Sequence, residues 1–309
     1  MSYLLTNASA LTALQNLTNT QNSLATTQTE LSTGLAIQNA SQNASYWSIA
    51  STMSSDNGAL GAVGSALGQS ATMLDTFNSA ITQAMSVVSN IKNDLVAAQN
   101  PGANLTQIQN DIAAQQNSLI QIASGADFNG QNWLNGTVNG STAGWTNTVD
   151  LVGAYTNSGG VSSIAVVASS VSLFTNGTAA SSVASASGGI LGSVNGSYSI
   201  LGSSAINVTG ATGAAVSTVN TMLSSVNTVY TSLETAATTI GAAQEQITTQ
   251  QTFVSAMQNN LTNGVASLVD ANMNQVSTRL QALQTQQQLG VQSLSIANQS
   301  SQMILKLFQ

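Results

Sequence analysis

Two stretches of apolar side chains with helical period, one toward each end of the chain, constrain this sequence more than anything else in it. Near the C-terminus Ile240, Ile247, Val254, Leu261 and Leu268 recur every seven residues, and Ala243, Met257 and Ala271 fill much of the second seam position of a heptad. In the N-terminal third Leu60, Val63, Leu67, Leu74, Phe77, Ile81, Ala84, Val88, Ile91, Leu95 and Ala98 alternate by threes and fours. A lone helix would leave such a seam wet, at roughly 25 cal/mol for each Å² of apolar surface. The two long segments are therefore expected to pack on one another, with the chain running out, turning and coming back. Between them the sequence is rich in Gly, Ser, Thr and Val and has no helical period. The fold class that follows is mainly α: a long antiparallel helical coiled-coil bundle formed by the N- and C-terminal segments, with a small β-rich central region.

Shorter signals divide this plan. Residues 8–35 place Ala10, Leu17, Leu24 and Leu31 seven apart, with Leu14 and Leu35 beside them and Gly34 near the end, as one amphipathic helix. Residues 36–57 lose the strict period and read as a bent or loop-helix connection. Within it Tyr46, Trp47, Ile49 and Met53 form a bulky cluster suited to wedging against a neighbouring helix. The long helix from about Ala59 stops at Asn100-Pro101-Gly102, because proline removes a donor and clashes with the preceding turn. Leu105, Ile108, Ile112, Leu119 and Ile122 mark a shorter antiparallel helix ended by Gly125. Asn129-Gly130 and Asn135-Gly136 follow as turn signals. Strands are expected in Thr148–Val152 and Ser163–Val171, and a compact insert near residues 178–199. Helical period resumes near Ala215 and runs to about Val269. A final helix over Met273–Lys306 carries Val276, Leu283, Ala297 and Ile304 on one stripe, with Leu280 and Leu294 beside it. It is expected to match the first helix in length and to partner it. The Gln-rich stretch 284–292 is placed on the helical stripe through Leu283 and Leu289.

Composition excludes much chemistry. Only 4% of the 309 residues are charged, against about 25% in an ordinary soluble domain, and Asn, Gln, Ser and Thr take the polar positions. Surfaces with so little charge repel one another weakly, which favours association. With three basic residues, Lys92, Arg279 and Lys306, and a net charge of −7, the chain cannot build the cationic stripe that phosphate backbones require. No nucleic-acid partner is expected. No apolar run reaches the roughly 18–20 residues of a spanning helix, so no membrane insertion is expected either.

The absence of both Cys and His removes disulfides, thiolate nucleophiles and the commonest metal ligand and general base. The carboxylates are spread singly, and Asp56, Asp75, Asp94 and Asp111 read as caps or solvated faces. Gly159-Gly160 and Gly188-Gly189 lack the Lys of a phosphate loop and read as turns. Trp133 and Trp145, beside turn signals, read as packing residues. No catalytic residue, cofactor or metal site is expected. The start, Met1-Ser2-Tyr3-Leu4-Leu5, has no basic n-region or cleavable apolar core, so a conventional signal peptide is not expected.

Several local sequences, in this order and at these distances from the termini, resemble bacterial flagellin. Leu31-Ser32-Thr33-Gly34-Leu35, followed by Ile37 and Ala40, is similar to the stretch that closes the first terminal helix of that family. Asp127-Phe128-Asn129-Gly130 and Leu134-Asn135-Gly136 resemble its exit from the helical core into a β region. Residues 286–299 resemble its last helix, and Ile304-Leu305-Lys306-Leu307-Phe308-Gln309 its short apolar tail. The resemblance covers about residues 1–140 and 212–309.

It implies a structural subunit that self-assembles into the flagellar filament and leaves the cell unfolded, through the flagellar secretion channel. On that plan residues 1–40 and 270–309 form a terminal coiled coil in the inner core. Residues 41–140 and 212–269 form a helical shell, and residues 141–211 a β-rich region facing outward. The assembly interface expected from the resemblance comprises Leu14, Leu17, Leu24 and Leu31 of the first helix, Leu283, Leu294, Ala297 and Ile304 of the last, and Leu305, Leu307 and Phe308 of the tail. Partners implied by the family are further copies of the chain, hook-associated and cap proteins, and an export chaperone. A hook–filament junction protein and a secreted adhesin are the alternatives. Flagellins usually carry charged residues after the Leu-Ser-Thr-Gly-Leu stretch and in the long helix. Here Ala36, Gln38, Ser41 and Gln42 stand in the first place and Asn93-Asp94 in the second, so contacts between subunits are expected to rely on apolar packing and amide hydrogen bonds.

Overall fold

The computed structural model describes residues 7–135, 148–156, 160–174, 188–192, 198–201, 205–209 and 215–307, without the side chains of 215–216 and 300–307. The fold is mainly α, as the heptads require. Six helices occur among these residues: α1 (Ala8–Thr33), α2 (Ala44–Ala98), α3 (Leu105–Gly125), the single turn α4 (Gly189–Gly192), α5 (Ala215–Val269) and α6 (Met273–Leu307). Strands β1 (Val149–Thr156) and β2 (Gly160–Val166) form one antiparallel pair. Contacts group the chain into two compact units, Ala59–Met257 and a unit made of Met1–Gly58 with Gln258–Gln309.

In the first of these units α2 and α5 run antiparallel. The Gln244 amide donates to Asp75 Oδ1 at 2.6 Å, and Gln99 donates to Asn220 Oδ1 at 2.9 Å. Their seam is the one the spacing marks: Leu67, Leu74, Phe77, Ile81, Val88, Ile91 and Leu95 of α2 and Val226, Leu233, Ile240 and Ile247 of α5 are all fully buried. The third helix, α3, starts at its cap Asn104, whose side chain accepts from Gln107 N, and buries Ile112, Leu119 and Ala123. Asp75 lies on a solvated face, as expected, whereas Asp94 is half-buried. Gln115 of α3 donates to Asp94 Oδ2 at 2.7 Å, so both carboxylates accept amide hydrogen bonds from another helix.

Past α3 the chain reverses in two residues. Asn129 and Gly130 both take positive φ, 55° and 77°, and Phe128 and Gln131 exchange both backbone hydrogen bonds. That geometry is the one an Asn-Gly pair favours in a tight hairpin turn. It delivers Trp133 to the core, fully buried, with its ring 5.0 Å from that of Phe77. Trp145 and Gly136 lie outside the described residues.

Leu134 O then accepts from Leu173 and Phe174 N, Leu191 N donates to Leu173 O, and Leu201 N to Leu191 O, tying the central segments together. Two glutamines of α3 hold this region. Gln116 donates to Ile200 O at 2.9 Å, and Gln109 Oε1 accepts from Val208 N at 2.7 Å. Gly189 has φ +62°, and a Cβ there would stand 2.7 Å from the Phe174 backbone. Gly189→Ala is therefore expected to destabilise by about 1–3 kcal/mol or more, read as a lower unfolding midpoint.

The strands differ from expectation at their ends. The ladder pairs Val149 with Val166 and Thr156 with Gly160, with an irregularity between Val152 and Ala154, so β1 extends to Thr156 and β2 stops at Val166 instead of Val171. Residues Ala168–Ser170 instead form a 3-10 turn, and the Ser170 hydroxyl donates to Val167 O at 2.7 Å. Such a local side-chain bond competes with the strand ladder. Most of the expected insert near 178–199 falls outside the described residues.

In the second unit residues 36–57 are a loop-helix connection, as expected, and the correction is to the start of the long helix, which lies at Ala44 and not near Ala59. Asn43 caps a helix that begins at Ala44 and continues without a break: its Oδ1 accepts from Tyr46 N and its carbonyl from Trp47 N. The cap outweighs the missing apolar period. Of the bulky cluster, Met53 does wedge against a helix, its Cε filling the place that a Cβ on Gly264 would take. Tyr46, Trp47 and Ile49 stay exposed.

The connecting segments also meet. Gly34 closes α1 in the left-handed conformation, Leu35 bridges Asp270, and Ala271 N donates to Gly34 O at 2.8 Å. Ala271 is thus a connector residue and not a seam residue, because α5 ends at Val269 and Asn272 Oδ1 accepts from Gln275 N at the start of α6. With 26 residues against 35, α1 and α6 are not alike in length.

Candidate assembly surface

The terminal helices α1 and α6 pair antiparallel. Asn7 caps α1 by accepting from Ala10 N, and its Nδ2 donates across to Ala297 O at 2.9 Å. Near the other end of the pair Arg279 Nη1 lies 3.9 Å from Glu30 Oε2. Between them Leu17 meets Gly290, its Cδ1 standing 3.2 Å from where a Cβ would be. A large side chain set against a residue with none brings the helices close.

Burial along α1 follows a heptad. Ala10, Leu17, Leu24 and Leu31 hold one seam position, and Ala13, Thr20 and Thr27 the other. Leu14, expected beside the seam, is instead half exposed. The two threonines are buried without cost to hydrogen bonding, because each hydroxyl donates to the carbonyl four residues earlier, Asn16 O and Ser23 O, at 2.9 Å. On α6 the buried and half-buried positions are Val276, Leu280, Leu283, Gln287, Gly290, Leu294 and Ala297, again in steps of three and four.

Most of the residues expected to join subunits thus face the partner helix of the same chain. Leu17 is buried, and Leu24, Leu31, Leu283, Leu294 and Ala297 are half-buried in or beside this seam. The backbone of Ile304, Leu305 and Leu307 belongs to α6, but their side chains, and all of Phe308, lie outside the described residues.

Among the mostly polar side chains that the pairing leaves outside are several large apolar ones. Leu11 is 70% exposed on α1, and Leu289 and Ile296 are 61% and 63% exposed on α6. Leu289 and Ile296 stand seven residues apart and so share one face of the helix. Leu289 does not belong to the stripe of Leu283. Six residues at about 100° each carry it some 240° around the axis, away from the seam. Leu289, expected on the stripe of Leu283, instead forms a second stripe with Ile296, which their seven-residue spacing marks.

The surface around them is neutral. No charged residue occurs from Ala8 to Thr29 or from Leu280 to Leu305. Two such surfaces can approach without like-charge repulsion, whereas a charged partner would find nothing to pair with. Among the described residues no group of three or more His, Cys, Asp or Glu could hold a metal ion, and no helix is long and apolar enough to cross a membrane.

Residues 4–139 match the model of the bacterial flagellin N-terminal helical region, and residues 223–308 that of the C-terminal helical region. Over its whole length the chain is 38% identical to Flagellin C of Rhizobium meliloti, 41% identical to a flagellin of Brucella melitensis and 32% identical to Flagellin A of Rhizobium meliloti, each of which it also covers completely. Paired terminal helices of the expected kind, both family regions in order and end-to-end identity to several flagellins agree: this chain belongs to the bacterial flagellin family.

Proposed function

We propose that the chain is a structural subunit of the bacterial flagellar filament, polymerising through heterologous contacts in an open helical array. Flagellins are structural proteins and not enzymes. The observation that carries the proposal is the α1–α6 pair, neutral along nearly its whole length, with Leu11, Leu14, Leu289 and Ile296 on its outer faces. Leucine and isoleucine left half or more exposed each forgo about 1–2 kcal/mol of burial, so packing these faces against other copies supplies a driving force for assembly.

The terminal segments 1–40 and 270–309 line the inner wall, and Ile304, Leu305, Leu307 and Phe308 of the apolar tail join the assembly interface. Residues 41–140 and 212–269 form the shell around it, and 141–211 face outward. Leu17, Leu24, Leu31, Leu283, Leu294 and Ala297 hold the pair in the shape that presents the outer face. Export runs through the flagellar channel to the cell exterior, with a chaperone before it and hook-associated and cap proteins after it. A chain with no cysteine and one proline suits threading unfolded and refolding outside. The hook–filament junction alternative shares the terminal helices, but the full-length relatives are flagellins.

Electron microscopy of purified chain seeded with sheared filament fragments tests this directly. Long tubes of uniform width are expected; chains that remain monomeric under seeding would overturn it. The contact chemistry makes a further prediction. The one ion pair among the described residues joins Glu30 to an Arg279 side chain that is 54% exposed, a pair worth little in water. Filament melting temperature is therefore expected to vary little between low and high salt, and a large shift would show that screened charges hold the subunits together.

A further inference from the structure

The start of α2 carries three large apolar side chains that the other described elements leave substantially exposed. Asn57 Nδ2 donates to Thr262 Oγ1 at 3.2 Å, and Met53 lies on Gly264, so α2 and α5 run antiparallel here. Seven residues beyond the Asn57–Thr262 contact, Val269 at the end of α5 lies level with Ala50, which is buried. The first turn and a half of α2 therefore overhangs the end of its partner. Tyr46, Trp47 and Ile49 lie on that overhang and are 48%, 40% and 49% exposed.

We propose that this overhang is a docking surface for a second copy of the chain, and that Tyr46, Trp47 and Ile49 are anchor residues of a subunit contact separate from the outer faces of α1 and α6. The inference rests on the filament-subunit function proposed above. Three observations favour another copy as the occupant. From Leu31 to Ser55 the sequence holds no charged residue, so identical surfaces meet without repulsion and a charged partner gains nothing. Tyrosine and tryptophan are the side chains in which contact energy concentrates, and both keep a polar edge free for a neighbour's carbonyl or amide.

Size is the third. Large aromatic side chains bury about 150–250 Å² each, so this patch falls well short of the roughly 800 Å² per partner of a stable two-protein complex. A contact that small suits a polymer, where it repeats with other contacts on every subunit.

The test compares the full chain with a Tyr46→Gln/Trp47→Gln/Ile49→Gln variant, glutamine being a good helix former. The monomer's helicity and melting are expected to be unchanged, and the critical concentration for polymerisation to rise at least about tenfold. A variant that polymerises within about twofold of the parent overturns the proposal. If the parent itself never polymerises, the filament function fails first, which separates the two ideas. A second readout guards against a folding defect. Acrylamide quenching of Trp47, taken as the difference between the parent and Trp47→Phe, is expected in monomer and lost in filament. Quenching that persists in the filament overturns the docking surface however the triple variant behaves.

Discussion

Leu289→Gln combined with Ile296→Gln is expected to abolish filament growth at ordinary protein concentrations while leaving the monomer's thermal melt unchanged. Both side chains are more than half exposed on the unpolymerised chain, so their loss removes little folding energy, and glutamine is comfortable in a helix. In a filament that buries their remaining surface, each would contribute about 1–2 kcal/mol. Losing both costs about 2–4 kcal/mol per subunit, which raises the critical concentration by about 1.5 to 3 powers of ten. Sedimentation of polymer against concentration measures this. Leu17→Gln should do the reverse, lowering the stability of the α1–α6 pair itself, because Leu17 packs on Gly290 inside the seam.

Trp133→Ala is expected to cost about 3–5 kcal/mol of folding stability, the largest loss of any single substitution considered for the Ala59–Met257 unit. The indole is fully buried against Phe77, at the point where the Asn129-Gly130 turn brings the chain back onto α2. Its removal leaves a cavity that backbone held by Asn132 cannot close, since Asn132 Nδ2 donates to Ala123 O and its Oδ1 accepts from Leu134 N. Trp133→Phe should be much milder. It keeps ring contact with Phe77 and removes an indole N–H that is buried with no hydrogen-bond partner among the described residues. Denaturant midpoints of the two variants decide between a packing role and a replaceable one.

The sequence made the long seam legible almost residue by residue, because heptad positions in α2 and α5 are apolar and lie opposite apolar partners. Leu67, Phe77, Ile81, Ile91, Ile240 and Ile247 are buried where the spacing puts them. Turns were legible where glycine or proline forced them, at Gly34, Pro101-Gly102 and Asn129-Gly130. The start of α2 was not, because its helicity comes from a cap at Asn43 while the residues after it have little to bury.

The assembly surface was half legible. Periodicity shows which residues share a helix face, but it cannot say which of two apolar faces the chain uses for itself. On α6 the face of Leu283 and Leu294 turned out to hold α1, leaving that of Leu289 and Ile296 outside. Two polar seam positions also hid from an apolar search. Thr20 and Thr27 are buried because their hydroxyls are satisfied within their own helix.

On the proposed function, the outer face of α6 is exposed on the free chain and buried between copies. The chain has no cysteine, so Ile296→Cys would carry a single thiol. Its alkylation rate, measured on the monomer and again on assembled filaments, is the most direct test. The account predicts the rate of an exposed thiol in the monomer and strong protection in the filament. A thiol equally reactive in both states would contradict it, and would move the subunit contacts elsewhere on the molecule.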